Sequence, residues 1–217
     1  MNQFTLDNQK LLSIDEERIV ARTFMGRIEW EMIVIGLGQF LVWLGIWAMV
    51  LMGSLSLWAG FILSTISTAF SYLPSHAGQH GHLSGKNKKL KWLNAFVGQI
   101  SLIPLAQSHH VLKAIHMKHH AFTNNPERDP DFFHTHVDHW WQAAINVHGQ
   151  TNGGDSRLQK MMEMYTEEDE NFKADIEKGT PFALMFFFGQ MIVAFFFPLE
   201  TLLSLIHISE PTRLQQI

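Results

Sequence analysis

The 217-residue sequence contains no cysteine, which excludes a disulfide framework and any metal site built on thiolates. It also lacks an excess of positive charge, and a formal net charge of −4 gives no reason to expect nucleic acid as a partner. The first thirty residues are polar and include DEERIVAR, so no secretory signal peptide is predicted there. A metal site in this chain would have to use nitrogen and oxygen ligands.

Charge is missing altogether from one long stretch. Residues 32–74 comprise 43 positions without a single charged side chain. As a helix they would rise roughly 65 Å, about twice the hydrocarbon thickness of a bilayer. We therefore predict a transmembrane hairpin that turns near Gly53-Ser54. Residues 182–199 form a second apolar run of 18 residues, which is just long enough for a third span.

The remaining segments complete the predicted fold class, an all-α integral membrane protein with a cytosolic helical cap that carries the histidine clusters. Residues 149–179 are polar and acidic, which predicts one or two surface helices of this cap with their charges in solvent. Residues 92–107 are apolar but number only sixteen and include Pro104. They are too short for a span, so we expect an interfacial or re-entrant helix that returns the chain to the side it left.

Positive charge lies on one side of the predicted hairpin. The turn between the spans has none, whereas seven cations flank the hairpin: Arg18, Arg22, Arg27, Lys86, Lys88, Lys89 and Lys91. The positive-inside rule therefore puts the N-terminus and the histidine clusters in the cytoplasm. The expected location is a membrane such as the bacterial inner membrane.

Thirteen histidines is a high number for this length, and five of them fall at helical spacings. His76 and His80 are four residues apart in HAGQH, and HMKHH contains His116, His119 and His120. Residues three or four apart share a face of a helix, so each cluster can aim two or more imidazoles at one point. Imidazole binds iron, zinc, copper and nickel, and the five histidines are predicted metal ligands.

The number of imidazoles bears on the identity of the metal. His82 is an additional candidate ligand, although it lies off the face that His76 and His80 share. Zinc is usually satisfied by four ligands, whereas five or six imidazoles favour two metal ions. A nitrogen-rich site with open positions suits oxygen-activating iron, but ligand type alone leaves zinc and copper open.

HAGQH (76–80) and HMKHHAFTNNPERDPD (116–131) resemble the first and second histidine boxes of the membrane fatty acid desaturase family. The order of apolar and polar segments is similar over about residues 30–202. The resemblance implies a di-iron site with two Fe ions and O2 as co-substrate, which removes two hydrogens from a fatty acyl chain. It assigns the five box histidines as iron ligands. It implies two partners, a membrane lipid or acyl substrate and an electron donor such as ferredoxin, rubredoxin or cytochrome.

The segment after the second box contains three polar residues that we expect to support the ligands. Asn124, Asp129 and Asp131 would accept hydrogen bonds from ligand imidazoles or neighbouring backbone, because such partners fix the ring orientation. The segment also contains Asn125-Pro126 and Asp129-Pro130, which are ordinary helix breakers. Supporting the ligands and ending the helix of the second box are compatible roles for this segment.

Two other functions remain open at this point. A related di-iron hydroxylase or ketolase acting on alkanes, sterols or carotenoids would have the same boxes, although TNNPERDPD favours acyl desaturation. A metal transporter or sensor is not an enzyme, and transporters place ionisable groups along the ion path within their spans. Residues 32–74 contain no charged residue, which disfavours that class.

The sequence departs from the family's pattern downstream, because no third histidine box follows His148. The only later histidine is His207, within LSLIHISEPTR, which reads as the in-frame translation of a transposase-type sequencing adapter. We therefore predict that 1–202 is a partial desaturase-like membrane domain and that 203–217 is not biological sequence. The natural protein would continue to a third box, and this 217-residue chain would be inactive.

Overall fold

The computed structural model describes residues 14–24, 26–132, 137–139, 141–142 and 157–196. Every regular element within these ranges is helical, so the predicted all-α class is confirmed. The α-helices are α1 (Ile14–Phe24), α2 (Trp30–Leu51), α3 (Leu57–Ala69), α4 (Tyr72–Gln79), α5 (Trp92–Leu102), α6 (His109–Phe122), α7 (Arg157–Glu168) and α8 (Glu170–Phe196). Short 3-10 helices, Lys88–Leu90 and Ile103–Leu105, precede and follow α5.

Two stretches are long and apolar enough to cross a membrane. They are Trp30–Leu51, of 22 residues, and Leu57–Gln79, of 23 residues, which joins α3 and α4. The two run antiparallel, because the Ser67 hydroxyl donates to the backbone carbonyl of Gln39 at 3.2 Å, far from the turn. The length and composition of both stretches agree with the predicted hairpin.

The hairpin turns at the predicted position because Gly53 ends α2. The N–H of Gly53 bonds to the carbonyl of Val50 at 3.0 Å, and that of Ser54 bonds to the carbonyl of Met49 at 2.9 Å. This pair of bonds is the Schellman arrangement, which needs a left-handed residue, and Gly53 supplies it with φ of 70°. Ser56 then caps α3 by accepting from the N–H of Ala59.

α5 is short, with 11 residues, and its interfacial or re-entrant placement in a membrane stays a prediction. Its Ser101 carbonyl accepts a hydrogen bond from the Gln39 side chain at 3.4 Å, so α5 reaches about half the length of α2. A left-handed residue, Ala106, then reverses the chain with φ of 51°. The Gln99 side chain closes this reversal by accepting from the N–H of His109 at 3.0 Å. α6 therefore returns alongside α5 and brings the second box back to the first.

Two apolar clusters hold the helices that carry the histidine boxes. The first joins α2, α4 and α5 and consists of Ile33, Ala77, Leu83 and Val97. The second joins α6, α7 and α8 and consists of Ala114, Met161, Tyr165 and Phe172. Each box helix thus buries one face in its own cluster and leaves another face for the opposite box.

The cap differs from the predicted set of solvated surface helices. α7 and the first part of α8 lie within the predicted range 149–179, but they bury Tyr165 and Phe172 against α6. Lys118 of α6 pairs with Asp169 at 2.7 Å, so one of the cap's carboxylates holds the second box rather than facing solvent alone. The expectation of a merely solvated face is wrong here, because a few apolar residues among many charged ones suffice to dock a helix.

α8 continues through Pro181 without a break and enters the apolar run predicted as a third span. Gly179, just before this proline, lies so close to Ser108 and Val111 of α6 that a Cβ atom would come within 2.6 Å of Val111. Beyond Pro181 most of the described apolar side chains, such as Phe187 and Phe195, are exposed. Residues 197–199 lie outside the described part, and the third span stays a prediction.

Candidate metal centre

His76 lies in α4, and His80 is the residue that directly follows the end of this helix. The N–H of Gly81 bonds to the carbonyl of Gly78 at 3.0 Å, and that of His82 bonds to the carbonyl of Ala77 at 2.9 Å. This is a second Schellman ending, and Gly81 takes the left-handed conformation with φ of 73°. The glycine in HAGQHGH therefore fixes the point at which the first box ends.

α6 presents the second box from its last two turns. His116 and His120 are one turn apart, with ring centroids 4.5 Å from each other. The rings of His76 and His80 lie 4.7 and 5.0 Å from that of His116. Residues from two helices, distant in sequence, thus meet ring against ring.

Four imidazoles converge on one point. The ligand nitrogens of His76, His80, His116 and His120 all lie within 4.8 Å of one another. Nε2 of His116 lies 3.1 Å from Nε2 of His80 and 3.0 Å from Nε2 of His120. Within the described ranges this is the one group of its kind, and we call it the histidine tetrad.

Two of the nitrogen separations in the tetrad fit ligands of one bound ion. Two imidazole nitrogens on one divalent ion, each about 2.1 Å from it and about 90° to 109° apart, are about 3.0–3.4 Å from each other. The two Nε2 separations of 3.1 and 3.0 Å match the lower end of this range. The donor set is all nitrogen, which suits iron, zinc or copper.

The environment of His80 and His116 favours the neutral imidazole, which is the form that binds metals. Burial first, and then the neighbouring imidazoles of His76, His120 and His80, together lower the pKa of His116 to about 3. Burial likewise lowers the pKa of His80, together with the imidazoles of His76, His120 and His82. Desolvation and mutual repulsion both penalise the imidazolium form.

His119 is the one predicted ligand that does not join the tetrad. Its Nδ1 lies 2.7 Å from Oδ1 of Asp129, whose side chain is fully buried. This contact leaves Nε2 of His119 as the nitrogen that remains for an ion. A carboxylate on one imidazole nitrogen with a metal on the other is a common arrangement in metal sites.

Asp129 also organises the loop that follows the second box. Its Oδ2 accepts from the N–H of Asn124 at 2.8 Å, and its Oδ1 accepts from the N–H of Asp131 at 2.8 Å. Asn124 takes part through its backbone, in a left-handed conformation with φ of 63°. The Asp131 carboxylate lies 3.8 Å from Nδ1 of His119, so it acts on that ring at longer range.

The other described histidines do not belong to the tetrad. His82 is exposed, and its ring stacks on that of His80 at 5.4 Å. His109 is buried, and His110 contacts Asp175 at 3.3 Å. His139 is exposed and stacks on Trp141. Positions 134, 136, 148 and 207 lie outside the described residues.

Sequence reasoning missed the residues of the cap that hold the second box. Tyr165 donates its hydroxyl proton to the backbone carbonyl of Arg128, and the Arg128 guanidinium pairs with Glu168. Lys118 lies 4.6 Å from the centre of the Tyr165 ring. The signal that could have found this surface is an apolar stripe, since Met161 and Tyr165 are four residues apart within an otherwise polar segment.

Comparison with known proteins agrees with the two boxes. The family model described as fatty acid desaturase matches residues 52–209, a range that includes both boxes and also the first residues of the predicted adapter segment. An sn-1 oleoyl-lipid 12-desaturase from Picosynechococcus sp. is 33% identical over 69 residues, which is 32% of this chain and 18% of that protein. The matched part thus spans under a fifth of that relative. No solved structure matches the chain.

Proposed function

The chain belongs to the fatty acid desaturase family, and we propose that the parent protein catalyses oxygen-dependent desaturation of a fatty acyl chain at a histidine-rich di-iron site. The observation that carries the proposal is the tetrad, in which four ligand nitrogens from two helices lie within 4.8 Å of one another. Iron held there would supply the oxidation of an unactivated C–H bond, which side-chain acid–base chemistry cannot achieve.

The overall reaction balances with one oxygen molecule. The acyl chain loses two hydrogens and gains a carbon–carbon double bond. An external donor supplies two electrons, two protons are taken up, and oxygen is reduced to two molecules of water. The relative's printed name refers to an oleoyl-lipid, so an acyl group on a membrane lipid is the proposed substrate class.

The proposed ligands of the two iron ions are the tetrad and His119, with His82 as an additional candidate. Each tetrad nitrogen would face the first ion, and His119 would use Nε2 toward a second one. Asp129 would hold the His119 ring at a fixed angle through Nδ1, and Asn124 and Asp131 would position that carboxylate. The 217-residue chain has no third box after His148, so we propose that it binds iron incompletely and does not turn over.

The proposed setting is a bilayer, with the site just inside the lipid boundary. The two apolar stretches Trp30–Leu51 and Leu57–Gln79 support this, since His80 directly follows the second stretch. We propose that the N-terminus and both boxes face the cytoplasm, where an electron donor such as ferredoxin, rubredoxin or cytochrome would reach them. A bacterial inner membrane fits this arrangement.

A di-iron hydroxylase or ketolase is the second candidate, because it would use the same histidines. Lipid analysis of cells that express the uninterrupted gene separates the two, since a desaturase adds a double bond and a hydroxylase adds a hydroxyl. A non-enzymatic metal-binding protein would leave the lipids unchanged and would consume no oxygen.

Metal analysis of the purified 217-residue chain tests the site itself. We expect His116→Ala to weaken iron binding by about 100-fold or more, because loss of a direct ligand costs more than the 10–100-fold typical of a supporting residue. The matched control is His139→Ala, which removes an exposed histidine away from the tetrad. Equal iron binding by His116→Ala and the unaltered chain would contradict the proposed site.

A further inference from the structure

A basic loop separates the two histidine boxes. We call residues 85–92 the lysine loop, and the side chains of Lys86, Lys88, Lys89 and Lys91 are all exposed. Within the part of the chain that the structure describes, the ion pairs use other cations and none of these four. The loop therefore carries four positive charges that no carboxylate of the described residues offsets.

The lysine loop is fixed against the beginning of α2. The N–H of Lys86 bonds to the carbonyl of Gly26 at 3.0 Å, and the N–H of Glu29 bonds to the carbonyl of Leu83 at 3.3 Å. Gly85 fits so closely that a Cβ atom there would lie 2.4 Å from the carbonyl oxygen of Arg27. These contacts hold the lysine loop against the start of α2, and we call residues 85–92 together with residues 26–30 the platform.

Two exposed tryptophans mark the level of this platform in a bilayer. Trp30 begins α2 and Trp92 begins α5, and each is 58% exposed. Tryptophan is enriched where membrane meets water, and α2 continues from Trp30 as an apolar stretch of 22 residues. In a bilayer, the lysine charges would therefore stand at the depth of lipid phosphates.

We propose that the lysine loop is a binding surface for anionic phospholipids and that it recognises their phosphate headgroups. Clusters of four or more cations next to a membrane-spanning helix are suited to such headgroups. The site is separate from the metal centre and needs no bound ion. The positive charge is confined to the lysine loop, because the exposed surface of the cap carries acidic side chains. These include Glu163, Glu167, Glu170 and Glu177.

An acidic soluble protein is the other partner that four lysines would attract. The platform favours lipid because Trp30 and Trp92 place it beside hydrocarbon, whereas a docking site for a soluble protein needs a surface that projects into water. Lysine is also a compact point charge on a flexible stem, which suits mobile headgroups.

Titration of the purified chain with defined lipids, read by native mass spectrometry, tests the proposal. The probes are dioleoylphosphatidylglycerol and dioleoylphosphatidylcholine, which share their acyl chains and differ in headgroup charge. A cation near an anionic surface contributes about fivefold to the affinity, so Lys88→Gln with Lys89→Gln is expected to weaken phosphatidylglycerol binding by about 25-fold. Phosphatidylcholine binding is expected to stay the same.

The matched control is Lys160→Gln with Lys173→Gln, which removes the same charge from the cap and is expected to leave the preference unchanged. Lys88→Arg with Lys89→Arg keeps the charge and is expected to keep the preference, which distinguishes charge loss from misfolding. Equal losses in the control would show a net-charge effect only and overturn the proposal. It would also be overturned if inorganic phosphate competed as well as lipid, or if the loop bound acidic ferredoxin without any lipid preference.

Discussion

Nδ1 of His119 lies 2.7 Å from a carboxylate oxygen of Asp129, and Asp129 is fully buried. The carboxylate therefore determines which nitrogen of His119 remains for a metal. The same side chain accepts hydrogen bonds from the backbone at Asn124 and Asp131, so the ring and the loop are held by one group.

Replacing Asp129 by asparagine should weaken iron binding by about 10–100-fold, because the ring of His119 would lose its charged partner. The measurement is a metal titration of the purified chain. Asp131→Asn is the matched control, since its carboxylate lies farther from the ring, at 3.8 Å, and a smaller loss is expected. Indistinguishable affinities for Asp129→Asn and the unaltered chain would contradict the role of the contact.

Removing the Tyr165 hydroxyl should destabilise the chain modestly. Tyr165→Phe deletes the hydrogen bond to the Arg128 carbonyl, and one such bond contributes about 1 kcal/mol to the free energy of unfolding. Tyr165→Ala also removes a fully buried ring, and an aromatic-to-alanine change in a core costs about 3–5 kcal/mol. Denaturant unfolding in detergent measures both, and a larger loss for phenylalanine than for alanine would refute this account.

Glycine at position 98 is needed for the packing of α5 on α6. In Gly98→Ala the Cβ atom would lie 2.3 Å from Nδ1 of His109, so we expect overpacking to cost about 1–3 kcal/mol. Gly38→Ala is the control, because outside the neighbouring backbone of its own helix no described atom lies within 4 Å of that Cβ position. Thermal unfolding should separate the two variants, and equal midpoints would contradict the close contact.

The stability of the fold should fall in mild acid because of His109. Burial lowers the pKa of this imidazole from 6.5 to about 4, so between these two pH values the unfolded chain binds more protons than the folded one. The contribution of His109 to the free energy of unfolding is fully present above about pH 6.5 and is lost as the pH falls towards 4. It amounts to about 3 kcal/mol at most.

The test for His109 compares the unaltered chain with His109→Gln, using the free energy of unfolding between pH 7 and pH 4. We expect the variant to be less stable at neutral pH and to lose less stability on acidification. Parallel curves for the two proteins would show that His109 does not titrate on unfolding in this range.

The histidine spacing predicted much of the candidate site, and helix geometry explains the remainder. Residues four apart are offset by about 40° around a helix, and residues three apart by about 60° in the other direction. His120 therefore converges with His116, whereas His119 turns away by about 100° from His120 and meets Asp129 instead. Spacings of three and four residues thus place side chains on the same broad face of a helix. They do not show which of these side chains point at the same atom.

The hairpin could be predicted from the sequence because a charge-free stretch and a turn glycine are local signals. The docking of the cap was not readable, because it depends on contacts between residues far apart in sequence. Tyr165 meets Arg128 across 37 positions, and the polar composition around Met161 and Phe172 conceals the buried stripe. The sequence shows which residues are apolar but not which partner each of them meets.

The unbroken course of α8 has a mechanical consequence. Asp175 in its first part lies 2.6 Å from Lys113 of α6, while the same helix extends to Phe196 in its apolar part. Gly179, which lies in close contact with Val111, separates these two parts of one unbroken helix, so a tilt of one part would displace the other. If the apolar part of α8 spans a bilayer as predicted, a change in bilayer thickness that tilts this helix would also shift α6, which carries the second box.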